Sequence, residues 1–225
     1  MTVSVIIPTL NEADSIAGVI AEIPRSEVLE IIVVDSGSTD GTREIAAAAG
    51  AKVVLVEERG YGRACAAGAQ MATGEILVFM DGDGADRGDL VARLIGPIRE
   101  CTHDFVLAAR VKRLRAAGAM SWHQVLAGHA LGLAMFAVAG TRYTDMCAFR
   151  AIRRDTLMGL GMTEMTYGWN IEMQFLAARK KLRIVEIPLP YRCRMGGESK
   201  VAGSVRGTIR ASTRIVTTFI RVATS

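Results

Sequence analysis

Short, uninterrupted runs of valine, isoleucine and leucine alternate with helix-like segments along the first half of the chain. Such continuous apolar runs are typical of parallel strands that are covered on both faces of a sheet. Proline, glycine, serine and aspartate punctuate the runs, as expected for turns. The pattern therefore predicts an α/β fold with a mostly parallel central sheet flanked by helices. It places strands at 3–7, 30–34, 52–56 and 76–80, and helices at 13–22, 42–49 and 63–72.

The second half of the chain has a less regular pattern. A loop rich in glycine and serine, 195–204, precedes a last predicted helix at 205–222. No internal repeat and no clear linker interrupts the sequence. The remaining predicted elements are strands at 105–109, 144–150 and 183–187, and helices at 122–139 and 170–180.

The composition is that of an ordinary globular domain. The chain has 225 residues, half of them hydrophobic, which is enough to bury a core without disulfides or a structural metal. Its four scattered cysteines lack metal-binding spacing and indicate reduced thiols in a cytosolic protein. We expect no targeting segment, and the most apolar stretch, 127–140, is too short and glycine-rich to span a bilayer. The net charge of +4 does not indicate nucleic-acid binding, but it suits phosphates or a lipid surface.

Acidic residues follow three of the predicted strands: Glu12 the first, Asp35 the second, and Asp81 and Asp83 the fourth. Because ligands of open parallel sheets bind beyond the carboxyl ends of the strands, we expect these side chains to converge on one edge. Two carboxylates flanking Gly82 suit Mg²⁺ or Mn²⁺, which prefer oxygen ligands together with substrate phosphates. An acidic surface turn is the alternative, but the position at a strand end favours a metal site.

Two further turns have a candidate function and a structural alternative. The carboxylate of Asp35 can accept hydrogen bonds from a base or a ribose, or it can stabilise its own turn as an N-cap. The glycines of the GYGR turn, 60–63, precede an alanine-rich helix and can let backbone N–H groups approach a phosphate. The dinucleotide-binding fingerprint does not fit this turn, because Cys65 stands where its third glycine belongs.

Six segments occur in order along the chain: VIIPTLNE, EIIVVDSGSTDGT, GYGRA, ILVFMDGDG, YTDMCAFRAI and YRCRMGGESK. Together they resemble family 2 inverting glycosyltransferases with a GT-A fold, and most closely the polyprenyl-phosphate (dolichyl-phosphate) mannose and glucose synthases. The resemblance runs from about Val3 to Lys200. It implies one GT-A domain at 1–204, with a nucleotide-binding half at 1–105 and an acceptor half at 106–204, followed by a basic amphipathic helix at 205–225.

The resemblance also implies an activity and its residues. A hexose would pass from a UDP- or GDP-sugar to an acceptor such as a polyprenyl phosphate, with Mg²⁺ or Mn²⁺ as cofactor. Asp81 and Asp83 fall on the metal-binding D-x-D motif, and Asp145 falls on an acidic residue near the acceptor. Asp83 and Asp145 are therefore the catalytic candidates. With the GYGR turn included, the substrate-binding candidates are Pro8, Leu10, Glu12, Asp35, Gly62, Arg63, Asp81, Gly82, Arg194, Ser199 and Lys200.

The sequence departs from the family pattern at three points. The family's R-x-x-G-x-S-K loop carries one extra residue here, in RMGGESK, which leaves its register open. Ala85 occupies a position where lipid-phosphate members often have a glutamine that binds the metal, and Asp86 or water would have to compensate. Several relatives carry membrane-spanning helices after this domain, whereas this chain stops. The last two departures favour a soluble or non-phosphate acceptor as the alternative. A non-catalytic nucleotide-binding protein is disfavoured because the acidic and basic motifs all persist.

The role of Asp145 depends on the acceptor. A phosphate monoester is already ionised near neutral pH, since its second pKa is about 6, and Asp145 would then orient groups or balance nearby arginines. A hydroxyl acceptor would instead make Asp145 the candidate general base. A structural ion pair with Arg142 or Arg150 is the alternative. The basic cluster at 110–115 can receive an acceptor phosphate or form a solvated loop.

The last predicted helix is basic and amphipathic. Arg206, Arg210 and Arg214 recur at four-residue intervals and form one stripe. Such helices can lie on anionic membranes, and packing on the domain core or a partner subunit is the alternative. Trp122 suits an interface or a core equally well. We therefore expect peripheral association with the cytoplasmic face of the membrane, and the sequence leaves the oligomeric state open. The apolar stripe of the helix consists of Val205, Ile209, Val216, Phe219 and Ile220.

Overall fold

The computed structural model describes residues 1–196 and 205–224. Among these residues, seven strands form one sheet, and helices cover both of its faces. The strands are β1 (Val3–Thr9), β2 (Glu30–Asp35), β3 (Lys52–Leu55), β4 (Ile76–Phe79), β5 (Phe105–Ala109), β6 (Arg150–Arg153) and β7 (Ile184–Pro188). The helices are α1 (Ile16–Glu22), α2 (Thr42–Ala48), α3 (Tyr61–Met71), α4 (Val91–Arg99), α5 (Trp122–Ala139), α6 (Arg154–Leu160), α7 (Trp169–Arg179) and α8 (Val205–Thr224).

The strand order across the sheet is β3-β2-β1-β4-β6-β5-β7. Every pairing is parallel except those of β6, which runs antiparallel to β4 and β5. The carboxyl ends of the six other strands therefore lie along one edge of the sheet, and β6 begins at that same edge. The loops that leave these strands, together with the segment that enters β6, surround a single region where ligands of such sheets bind.

Two apolar layers hold the helices on the sheet. Along β1, Val3, Val5 and Ile7 face one layer and Ile6 faces the other, as the two-residue period of a strand requires. The first layer packs α1, α2 and α4, and the second packs α3, α5, α6, α7 and α8. Both faces of the sheet are thus buried, which explains the continuous apolar runs in the sequence.

Helix α5 has clear sequence signals at both ends. Ser121 and Gln124 form a capping box, in which the side chain of each residue accepts a hydrogen bond from the backbone N–H of the other. Gly140 ends the helix in the left-handed region, with φ of 71°. The helix therefore keeps the predicted bounds of 122–139. No helix in the described parts of the chain has both the length and the apolarity to cross a bilayer.

The predicted α/β class and parallel sheet are confirmed, with two kinds of error in the elements. Helices α4 and α6 were not predicted; α4 contains Gly96 and Pro97, residues that usually end helices. The strand predicted at 144–150 was wrong, because only Arg150 belongs to β6. The backbone N–H groups of Thr144 and Asp145 bind the side chain of Glu186 instead of a neighbouring strand.

Candidate active site

The acidic turn after β4 is fixed by hydrogen bonds from three directions. The backbone N–H of Ala85 donates to Asp83 Oδ1 at 2.8 Å, and the N–H of Asp81 donates to Asp86 Oδ2 at 3.1 Å. Ser15 Oγ, next to the first turn of α1, donates to the carbonyl of Gly82 at 2.7 Å. Ser15 was not among the predicted site residues. The turn is therefore held in place before any ligand arrives.

Three carboxylates are crowded into this turn. Asp83 and Asp86 are buried, and Asp81 is half-buried. Burial raises the pKa of Asp81 well above its ordinary value, and the charges of Asp83 and Asp86 raise it further. Burial and the charge of Asp83 likewise raise the pKa of Asp86, to about 6. A cation at this position would relieve the repulsion that disfavours the ionised carboxylates.

Arg194 supplies part of the positive charge that offsets the three crowded carboxylates. Its Nη2 lies 2.7 Å from Asp83 Oδ2 and 3.9 Å from Glu12 Oε1. Arg194 thus lies beside the acidic turn, and its predicted role in binding substrate stays a prediction. Ser199 and Lys200, predicted to share this role, lie outside the described residues.

The segment that carries Arg194 is packed directly on the acidic turn. Met195 N–H donates to the carbonyl of Asp83 at 2.9 Å, and Arg192 Nε donates to the carbonyl of Gly84 at 2.8 Å. Gly84 has φ of +79°, and a Cβ at this position would lie 2.6 Å from Met195, so the close approach requires glycine. Sequence reasoning missed Arg192, which is one of two arginines in that stretch and carries no distinguishing spacing.

The donor set of the turn fits a divalent ion that is shared with a ligand. Carboxylate oxygens suit Mg²⁺ and Mn²⁺, and such ions are commonly held by one or two carboxylates plus substrate phosphates. Within 1–196 and 205–224, no three His, Cys, Asp or Glu side chains form a ready-made metal cage. Asp81 and Asp83 therefore fit as two protein ligands, with the remaining positions left to the ligand and water. Asp86 is turned inward, toward the N–H of Asp81 and the thiol of Cys147.

The nucleotide-side candidates lie at the ends of β1 and β2. Pro8 and Leu10 are half-buried, and Glu12 is buried beside Arg194. Asp35 is fully buried, and its carboxylate accepts the N–H groups of Gly37 at 3.1 Å and Ser38 at 2.8 Å, together with the hydroxyls of Ser38 and Thr9. These contacts are those of the turn-stabilising alternative. The interaction of Asp35 with a base or a ribose stays a prediction.

The GYGR turn uses its glycines differently from the prediction. The N–H of Gly62 donates to the carbonyl of Thr166 at 3.2 Å, and the N–H of Arg63 donates to that of Met165 at 2.9 Å. A Cβ on Gly62 would lie 2.6 Å from the carbonyl oxygen of Glu164. The glycines thus allow a neighbouring backbone segment to approach closely. These two N–H groups donate to that segment, so they are not available to a phosphate. The side chain of Arg63 forms an ion pair with Glu58 at 2.6 Å.

Asp145 forms its ion pair with Arg110, and not with Arg142 or Arg150 as the structural alternative had it. Arg110 donates to Asp145 from its backbone N–H at 2.9 Å, from Nε at 2.7 Å and from Nη2 at 2.6 Å. Despite burial, these bonds hold the pKa of Asp145 below its ordinary value. Arg150 is fully buried and donates to the carbonyls of Cys147 and Asn170. A carboxylate so engaged is a weak general base.

A cavity of about 370 Å³ adjoins the Arg110–Asp145 pair. It lies between the loop after β5 and helix α5, and Asp145 is its one acidic residue among those described. The cationic and polar side chains that line it suit an anionic ligand. They are Arg110, Lys112, Arg115, Gln124, His129 and Thr144.

Comparisons with known proteins identify similar chains. The model of a family described as "Glycosyl transferase family 2" matches residues 4–161. An uncharacterised glycosyltransferase of Mycobacterium bovis is 36% identical over 214 residues, which cover 93% of this chain and 94% of the relative. An undecaprenyl-phosphate mannosyltransferase of Micrococcus luteus is 32% identical over 226 residues, covering 92% of this chain and 90% of the relative.

A solved structure with a similar fold has its ligands bound. Glucosyl-3-phosphoglycerate synthase of Mycobacterium tuberculosis, in complex with Mn²⁺, UDP-glucose and glycerol 3-phosphate, matches with a TM-score of 0.78 at 25% identity. The match covers 99% of this chain and 80% of that chain.

The Arg110–Asp145 pair predicts a pH-dependent contribution to stability. Asp145→Asn should lower the free energy of unfolding by about 3 kcal/mol at pH 7, because it leaves a largely buried guanidinium unpaired. Since the folded pKa of Asp145 is lowered, the contribution is complete above about pH 4, the ordinary aspartate pKa, and is lost as pH falls through the folded value. Urea unfolding of wild type and variant from pH 7 down to pH 3 measures this difference.

Asp104→Asn is the matched control, because Asp104 forms the same two-pronged pair with an exposed arginine, Arg183. An exposed pair should contribute less than about 1 kcal/mol. Equal losses in the two variants, or a difference for Asp145→Asn that persists undiminished at pH 3, would contradict the prediction.

Proposed function

The chain belongs to glycosyl transferase family 2, and from this premise we propose that it transfers a hexose from a UDP- or GDP-sugar to a phosphate-bearing acceptor, with inversion. The chain is a glycosyltransferase, and the GT-A fold expected from the resemblance is confirmed. The observation that carries the proposal is that an acidic turn and a cationic cavity lie at the same edge of the sheet. An acidic turn suits a metal-bound diphosphate, and a cationic cavity suits a phosphate acceptor.

On the donor side, Asp81 and Asp83 would hold the divalent ion. The ion supplies positive charge that stabilises the diphosphate as it leaves. A related enzyme of similar fold was crystallised with Mn²⁺ and UDP-glucose, which supports a metal of this kind. Arg194, already at 2.7 Å from Asp83, lies where it can contact the diphosphate as well. Pro8, Leu10 and Glu12 line the approach to the base and ribose in this proposal.

On the acceptor side, Arg110 binds the phosphate and Asp145 holds Arg110. A phosphate monoester is ionised near neutral pH because its second pKa is about 6, so its oxygen can attack without a general base. The lowered pKa of Asp145 and its engagement by Arg110 fit this positioning role better than proton abstraction. Asp145 would act as the base only for a hydroxyl acceptor.

A polyprenyl phosphate is the acceptor we favour, because an exposed apolar helix borders the cationic cavity. Trp122, Leu126, Leu133 and Phe136 of α5 are 77%, 60%, 66% and 51% exposed. Their spacing of four, seven and three residues aligns them on one side of the helix. Between 105 and 144 the chain has no acidic residue and five basic ones, so this surface suits an anionic lipid interface. A lipid tail could lie along α5 with its phosphate at Arg110.

Helix α8 contributes apolar side chains to this surface, and of the predicted basic stripe Arg210 is exposed while Arg214 is engaged in an ion pair. Arg214 pairs with the buried Glu164, and Phe219 packs edge-on against Phe175 of α7. Ile209, Val216 and Ile220 are exposed. Because α5 and α8 both contact α7 on the same face of the sheet, their exposed residues can meet one membrane surface.

A soluble phosphate-bearing acceptor is the second candidate. It is favoured by the structural similarity to glucosyl-3-phosphoglycerate synthase, crystallised with glycerol 3-phosphate, and by Ala85 at a position where lipid-phosphate members often have glutamine. The same cationic cavity would receive its phosphate. The two candidates differ in whether the exposed face of α5 is used.

The donor site predicts that metal and nucleotide stabilise the protein jointly. UDP or GDP at about 100 times its Kd should add roughly 2.7 kcal/mol, or about 5–10 °C to the Tm of a domain of this size, only when Mn²⁺ is present. Asp81→Asn should abolish this joint shift while leaving the unliganded Tm unchanged or higher, because the amide removes a repelled carboxylate. A thermal-shift panel of UDP, GDP and their sugars, with and without Mn²⁺, measures both effects.

Asp89→Asn is the control, since Asp89 is an exposed acid that follows the same turn and pairs with Arg87. It should keep the joint shift. A nucleotide shift of equal size without metal, or one that survives in Asp81→Asn, would refute the donor site.

The apolar face of α5 predicts salt-sensitive binding to anionic vesicles. The protein should co-sediment with vesicles that contain phosphatidylglycerol at low salt, and added salt should weaken the binding. Leu133→Glu should reduce the bound fraction several-fold, because it places a charge on the contacting face. Leu29→Glu introduces the same charge at an exposed leucine far from α5 and should bind as wild type does. Equal binding by both variants, or none by wild type, would refute the membrane surface.

A further inference from the structure

Glu186 is the one acidic residue in the otherwise apolar strand β7, and its carboxylate binds the turn at 144–145. It accepts the N–H of Thr144 at 3.0 Å and 2.9 Å, the hydroxyl of Thr144 at 2.8 Å, and the N–H of Asp145 at 3.2 Å. Burial, together with the nearby charge of Asp145, raises the pKa of Glu186. A half-buried carboxylate that accepts hydrogen bonds from three donors of one turn fixes the backbone of that turn.

The same turn is also held from α7 and α5. Gln174 Nε2 donates to the carbonyl of Asp145 at 3.0 Å, and the hydroxyl of Tyr143 donates to the carbonyl of Gln174 at 2.8 Å. A Cβ on Gly132 of α5 would lie 2.0 Å from the carbonyl oxygen of Tyr143, so α5 touches the turn through a bare backbone. The position of α5 and the position of Asp145 are therefore set by one rigid segment.

Asp145 passes this constraint on to Arg110. The guanidinium of Arg110 is held by the carboxylate of Asp145 through Nε and Nη2, and it stacks over the ring of Tyr191 with its centre 5.0 Å away. The direction in which Arg110 enters the cavity consequently depends on where the turn holds Asp145. Glu186 does not line the cavity, so any effect on a ligand there would act through other residues.

We propose that Glu186 is a positioning residue for the acceptor: it fixes the turn at 144–145, which fixes Asp145 and so aims Arg110 at the acceptor phosphate. This inference rests on the proposed function, in which Arg110 binds that phosphate. It assigns Glu186 an effect on acceptor affinity without contact to acceptor, donor or metal. Nothing in the sequence around Glu186 indicates this role apart from a lone charge inside an apolar strand.

The test measures transfer from UDP- and GDP-hexoses with Mn²⁺ to undecaprenyl phosphate and, separately, to glycerol 3-phosphate. Glu186→Ala should raise the KM for the acceptor about ten-fold, with the donor KM changed less than about two-fold, since only the acceptor-binding arginine is released. Glu186→Gln keeps one acceptor oxygen for Thr144 and should raise the acceptor KM only about three-fold. If Glu186→Ala does not fold, the Gln variant alone tests the proposal.

Glu30→Ala is the matched structural control. Glu30 accepts the N–H of Thr73 at 2.8 Å, its hydroxyl at 2.7 Å and the hydroxyl of Ser4 at 2.7 Å, but at the opposite edge of the sheet from the cavity. Its replacement should lower stability and leave the acceptor KM unchanged. In an Arg110→Ala background, Glu186→Ala should add less than about a two-fold increase, because the residue through which it acts is gone.

The outcomes separate the inference from the proposed function. If wild type transfers to neither acceptor, the proposed function fails and the inference fails with it. If wild type is active but Glu186→Ala and Glu186→Gln leave the acceptor KM unchanged, only the inference is overturned. Additive effects of Glu186→Ala and Arg110→Ala, or an equal rise in donor and acceptor KM, would overturn it as well.

Discussion

Three carboxylates occupy one short turn at the end of β4, and their mutual repulsion is the constraint on which the site depends. Two of them have raised pKa values because burial and neighbouring negative charge disfavour ionisation. Hydrogen bonds from Ser15 and from the turn itself keep the carboxylates together in spite of this repulsion. An arrangement that is unfavourable alone would become favourable if a divalent ion and a diphosphate shared it, and this would tie metal binding to donor binding.

The antiparallel strand β6 brings the proposed acceptor site to the same edge of the sheet as the acidic turn. Because β6 runs against its neighbours, the segment that enters it reaches the edge where β1, β4 and β5 end. Asp145 therefore meets Arg110, which directly follows β5, and the Arg194 segment that follows β7 reaches the acidic turn. The proposed donor and acceptor residues thus lie along one sheet edge, while α5 and its exposed apolar face border the cationic cavity.

The parts of this arrangement that sequence reasoning found are those with local signals. Apolar runs defined the strands, and two aspartates around a glycine at a strand end indicated the acidic turn. The parts that it missed depend on contacts between residues that are far apart in the sequence. Asp145 pairs with Arg110, 35 residues away, and Thr144 binds Glu186, 42 residues away, so a predicted strand became a turn. Arg214 pairs with Glu164, a buried carboxylate on another segment 50 residues away. The glycines of the GYGR turn make room for the backbone of residues 164–166, and no local sequence pattern predicts this contact.

Proton release on metal binding tests the central claim most directly, because a metal that occupies repelled carboxylates must displace the protons they hold. Calorimetric binding of Mn²⁺ with UDP or GDP at pH 6, in two buffers of different ionisation enthalpy, gives the number of protons released. The account predicts a release that is larger for wild type than for Asp81→Asn, since the nucleotide's own contribution is common to both. Equal release from the two proteins, or none from wild type, would contradict the claim that a bound metal relieves the repulsion among these carboxylates.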